Sequence, residues 1–141
     1  MMEFFRGYKD VSALFDCPLL GGDTTKSPDR LCINVTVLGH SARGESIRRS
    51  GAKVGDLICV TGPLGDSACG LEHILKGLDL DDDAKKLIDR HYMPKPRVTE
   101  GNKLAAAKVN AMMDVSDGIG SDLMHILKDS KVGAMVDLEA I

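Results

Sequence analysis

Phe4, Tyr8, Val11 and Phe15 recur at helical spacing, with Leu14 beside them, so the opening segment is expected to be an amphipathic helix. All three Phe and one of the two Tyr fall within the first fifteen residues, which leaves little aromatic core elsewhere for this helix to join. The stripe is therefore expected to pack against another chain or an absent upstream segment, the alternative being burial in this chain's own core. Residues 31–38, LCINVTVL, are β-rich and end at Gly39, and residues 56–61, DLICVT, have the same character; both read as strands. Gly62-Pro63-Leu64-Gly65 marks a turn, and a helix from Ser67 to Lys76 is stopped by Gly77. A second helix starts near Asp81 and ends before Pro94 and Pro96, whose rings and missing N–H groups cannot continue it. A third spans roughly residues 98–108, and residues 109–115 follow as a strand. Ile119, Leu123, Ile126 and Leu127 line one face of a fourth helix, and residues 134–138 read as a last strand. Strands alternating with helices predict an α/β or layered α+β fold. The polar stretch from His40 to Glu45 is the expected domain junction, dividing the chain into residues 1–44 and 45–141.

Composition narrows the function classes. A chain of 141 residues has the length of one ordinary domain, and 43% hydrophobic with 28% charged residues is the balance of a globular protein. At a net charge of -3, with Lys and Arg scattered, there is no basic stripe of the kind that binds nucleic acid. No apolar run reaches the roughly 18 residues of a membrane span, and no signal-peptide pattern opens the chain, so the cytoplasm is the expected location. Cys17, Cys32, Cys59 and Cys69 lack C-x-x-C pairing and are expected to be reduced, buried small hydrophobes. His40, His73, His91 and His125 are dispersed, without the i, i+4 spacing of a helical metal site.

Three motifs have ordinary structural readings. Residues 61–67, TGPLGDS, imitate a phosphate loop but lack its Gly-Lys-Ser/Thr end, and so read as a strand-to-helix turn. Asp79, Asp81, Asp82 and Asp83 sit where carboxylates cap a helix start and suit the positive end of its dipole. Arg48-Arg49-Ser50-Gly51 offers forked guanidinium donors that match phosphate oxygens, though two arginines alone are a weak signal.

Two acidic elements carry more. Gly21-Gly22-Asp23-Thr24-Thr25 and Met113-Asp114-Val115-Ser116-Asp117-Gly118 each put carboxylates beside hydroxyls and glycines. On an extended segment Asp114 and Ser116 share a side, with Asp117 turned at its end. Magnesium is bound through one or two carboxylates, with waters and substrate phosphates completing the octahedron, so Asp23 and Asp117 are plausible first ligands. The glycines allow close approach of a polyphosphate. Aspartates that merely cap turns remain the structural alternative for either motif alone.

In this order, GGDTTKSP at 21–28, RSGA at 49–52 with Gly55-Asp56, VTGPLGDS at 60–67 and MDVSDG at 113–118, the sequence resembles the thiamine-monophosphate kinase family from about Pro18 to Ile141. The resemblance implies a mixed sheet packed by helices, as in the C-terminal domain of the aminoimidazole-ribonucleotide-synthetase superfamily. Before it would stand the last helix and strand of an N-terminal ATP- and metal-binding domain. It implies transfer of the γ-phosphoryl group of ATP onto thiamine monophosphate, with Mg2+ as cofactor and no covalent catalytic residue. By the same resemblance Asp23, Asp114 and Asp117 are magnesium ligands, while Gly22, Asp23, Arg49 and Ser116 contact ATP. Family members are homodimers about twice as long as this chain, so the piece is expected to be inactive alone. A non-catalytic nucleotide-binding module and another ATP-using member of the superfamily are the alternatives.

Overall fold

Helices α2 (Asp66–Lys76) and α3 (Asp82–Tyr92) are the only two whose backbones come together among the described residues. Their contact explains where the core sits. Gly70 of α2 lies against the Leu87 carbonyl of α3, and Ala84 of α3 is buried at 2% exposure. Small residues at these positions let two backbones approach more closely than larger side chains permit. The connection is locally encoded. Gly77 takes the left-handed conformation, φ 59°, and its N–H closes on the His73 carbonyl, ending α2. Asp81 then caps α3 by accepting the Ala84 N–H at 2.7 Å. The open end of the hairpin is held by a Ser67 Oγ to His91 Nδ1 hydrogen bond of 3.0 Å and an Arg90–Asp66 ion pair.

The computed structural model describes residues 2–140. It divides into two compact units, Met1–His40 and Ser41–Ile141. The first contains α1 (Met2–Leu14), on which Phe4 meets Phe5 edge-on at 5.5 Å and Tyr8 at 6.5 Å. No residue of α1 is fully buried. Shallow grooves run along α1 among Phe5, Tyr8, Lys9, Ser12, Pro18 and Leu19, and neither Gly22 nor Asp23 lines them. The second unit adds α4 (Val98–Ala106), α5 (Ile119–Ser130) and a closing 3-10 turn, Leu138–Ala140. The third predicted helix thus stops two residues early, and Lys108 follows it in the left-handed region at φ 55°.

The expected mixed sheet is not there. No strand forms among the described residues, so the layered α/β expectation is corrected to a helical fold. Of the four β-rich segments, the last runs into the 3-10 turn at Leu138, and among the described residues only the Met112 N–H of these segments finds a distant backbone carbonyl, that of Arg48, at 3.1 Å. A ladder needs a neighbour to receive each backbone group, and β-propensity measures how a side chain fits a half-covered surface that a neighbour creates. Here Leu31 is 84% exposed, Val37 72% and Leu57 89%. The four cysteines are free, as expected, but the expectation of burial is corrected: all four are exposed. No helix among the described residues is long and apolar enough to cross a membrane.

Candidate functional site around helix α5

Helix α5 organises the second acidic element. Ile119, Leu123, Ile126 and Leu127 form its apolar stripe, and Asp122 lies three residues after Ile119 on the same face. Asp122 is only 3% exposed. Its Oδ2 accepts the backbone N–H of Ser116 at 2.8 Å and of Asp117 at 3.1 Å, which supplies the partners a buried carboxylate requires. Gly118 leads into the helix at φ 111°, a conformation open to glycine, and its carbonyl accepts the Asp122 N–H at 3.0 Å. Asp114, Ser116 and Asp117 themselves are exposed. Their loop therefore stands on a fixed backbone with its oxygen-bearing side chains at the surface.

The other end of α5 holds the arginine loop. Ser130 Oγ accepts the N–H of Gly51 at 3.0 Å and of Ala52 at 3.1 Å, and donates to the Arg49 carbonyl at 3.1 Å. Arg49 Nε lies 3.5 Å from Asp129 Oδ2, with both side chains about half exposed. Such a pair contributes between nothing and about 1 kcal/mol, so a phosphate can compete for the guanidinium. Gly51, at φ 132°, passes so near the Asn110 carbonyl that an added Cβ would meet its oxygen at 2.5 Å. Asn110 Nδ2 donates to both carboxylate oxygens of Asp56, at 2.9 and 3.0 Å, and Asp56 Oδ2 also accepts the Lys53 N–H at 2.8 Å. The Lys53 N–H first, and then the Asn110 amide, hold the Asp56 carboxyl below its ordinary value.

Of the residues singled out in the sequence, Asp114, Ser116 and Asp117 share one loop, and Arg49 belongs to a loop fastened to the same helix. Gly22 and Asp23 lie in the other unit, where Asp23 Oδ1 accepts the Thr24 N–H at 2.8 Å. No three His, Cys, Asp or Glu side chains converge as a metal site among the described residues. Asp122 and Ser130 went unnoticed in the sequence. For Asp122 the signal was available: a carboxylate on the apolar stripe of a helix needs an internal partner.

Comparison with known proteins places the chain in a family. Residues 53–141 match AIR synthase related protein, C-terminal domain. The chain is 44% identical over 129 residues to the thiamine-monophosphate kinase of Salmonella typhimurium, covering 90% of this chain and 39% of that protein. It is also 44% identical over 131 residues to that of Escherichia coli K12, covering 92% and 39%, and 37% identical over 131 residues to that of Bacillus subtilis, covering 91% and 40%. The chain thus spans about two-fifths of the length of these curated relatives. Both the arginine loop's anchor, Ser130, and the acidic loop fall within the matched residues, and the chain belongs to the family of AIR synthase related proteins through their C-terminal domain.

Proposed function

We propose that this chain is part of a thiamine-monophosphate kinase, a cytoplasmic homodimer that transfers the γ-phosphoryl group of ATP directly to thiamine monophosphate. The observation that carries this reading is the Asp114–Asp117 loop, two exposed carboxylates on a backbone fastened by Asp122. The similarity to kinases of that name supports the choice of acceptor. Asp114 and Asp117 would hold magnesium, and Asp23, in the first unit, would be a magnesium ligand there; their hard oxygen donors suit that ion. Bound there, magnesium supplies charge neutralisation between two polyanionic substrates, whose unit charges repel by about 4 kcal/mol per pair at 4 Å and an effective dielectric near 20.

The remaining roles belong to this chain's own groups. Arg49 would leave its half-exposed partner Asp129 to pair with ATP oxygens in forked geometry. The Ser116 hydroxyl would donate to a phosphate, and Gly22 would let the backbone approach the nucleotide. Positioning and charge stabilisation suffice for in-line phosphoryl transfer, so no side chain is assigned as a nucleophile.

By this reading the 141-residue chain is inactive by itself, because it spans about two-fifths of the kinases it resembles. Complementation tests the reading. Thiamine diphosphate should form when the segments that flank the match in the relatives are supplied with this chain. Binding of magnesium-ATP without transfer, under conditions where the relative itself turns over, would point to a nucleotide-binding module instead.

A further inference from the structure

We propose that Asp122 is a positioning residue that makes the Ser116–Asp117 turn a cation-binding surface and withholds it from direct anion binding. The inference deepens, and rests on, the assignment of Asp114 and Asp117 as magnesium ligands. A glycine-containing turn at a helix N-terminus ordinarily presents its free N–H groups to phosphate. Here two of those groups, from Ser116 and Asp117, are already committed to Asp122 Oδ2 at 2.8 and 3.1 Å. The acceptor is almost completely buried and reaches back from the first turn of α5, so solvent does not compete for it.

The peptide plane extends the consequence. In a trans peptide the carbonyl points opposite to the N–H across the same bond. No peptide here is cis. With the Ser116 and Asp117 N–H groups turned toward Asp122, the carbonyls of Val115 and Ser116 are turned to the other side of the loop. Backbone oxygens and exposed carboxylates are what a hard cation takes. A phosphate at this loop is then held through the cation and through side chains, not through the turn's own amides. Partners that orient metal ligands commonly change metal affinity by about 10–100-fold when removed.

The test uses the 141-residue chain and Mn2+ alone as probe, read by manganese electron paramagnetic resonance, with inorganic phosphate titrated separately. Asp122→Leu should weaken Mn2+ binding by about tenfold or more, and should allow phosphate to shift the Ser116 and Asp117 amide resonances without metal. Asp122→Asn keeps an oxygen acceptor and should retain Mn2+ affinity within about threefold. Unaltered affinity in Asp122→Leu, or equal loss in both variants, would overturn the proposal. Asp117→Asn separates the two levels: if it leaves Mn2+ binding intact, the ligand assignment itself fails, whereas weakening by Asp117→Asn with no effect of Asp122→Leu sinks only the positioning role. If Asp122→Leu does not fold, amide hydrogen exchange of the unmodified chain decides. Ser116 and Asp117 should be protected relative to Val115, and exchange at open-loop rates would refute the fastening.

Discussion

Asp122 and Ser130 lie on one face of α5, about two turns or 12 Å apart, and each fastens an incoming loop through two backbone N–H groups. Asp122 takes those of Ser116 and Asp117, and Ser130 those of Gly51 and Ala52. The helix thus acts as a rail that sets the acidic loop and the arginine loop at a fixed spacing.

The Ser130 hydroxyl matters more than the ion pair beside it. Ser130→Ala removes an acceptor shared by two N–H groups and the donor to the Arg49 carbonyl, and should cost roughly 1–2 kcal/mol in urea unfolding. Asp129→Asn breaks only a half-exposed pair and should cost less than about 0.5 kcal/mol. Comparable losses in the two variants would show that the loop is held by charge and not by the hydroxyl.

Two helical glycines should respond with opposite sign to alanine. A Cβ on Gly70 would run into the Leu87 backbone of α3, which cannot move without parting the helix pair, so Gly70→Ala should destabilise by about 1–3 kcal/mol. Gly101 in α4 has open space at the same point, and Gly101→Ala should stabilise by about 0.5–1 kcal/mol through helix propensity. Thermal midpoints read both, and a stabilising Gly70→Ala would contradict the close α2–α3 approach.

Asp56 sets a pH dependence. Its carboxyl is held below the ordinary value of 3.8, chiefly by the Lys53 N–H and next by Asn110. The charged form is therefore favoured more in the folded than in the unfolded chain. Its contribution is fully present above the unfolded value and disappears as pH falls through the lower folded one. Asp56→Asn should flatten the stability profile below the ordinary aspartate range while leaving its shape near neutrality unchanged. A parent profile already flat in that acid range would contradict the assignment.

Helices were legible where their instructions are local. Gly77 and Asp81 announced the end of α2 and the start of α3, and the stripe from Ile119 to Leu127 announced α5, because caps and apolar spacing act within a few residues. The sheet was misread because a strand depends on a partner that the pattern of one segment does not contain; Leu31–Leu38 has β-forming residues and no neighbour to pair with. The candidate site was legible in its exposed carboxylates and arginine. Its supports were not: Ser130 meets Gly51 only through the folded chain, across a large separation in sequence. Asp122 was hidden by attention to the apolar residues of α5, where the exception to the pattern was the informative position.

The proposed phosphoryl transfer to thiamine monophosphate can be read by phosphorus NMR. Magnesium-ATP and thiamine monophosphate are incubated with the longest reading frame containing this segment, and in parallel with its Asp117→Asn variant. The expected result is thiamine diphosphate from the parent and its loss in the variant. A folded, ATP-binding parent that yields no thiamine diphosphate would rule out the proposed transfer.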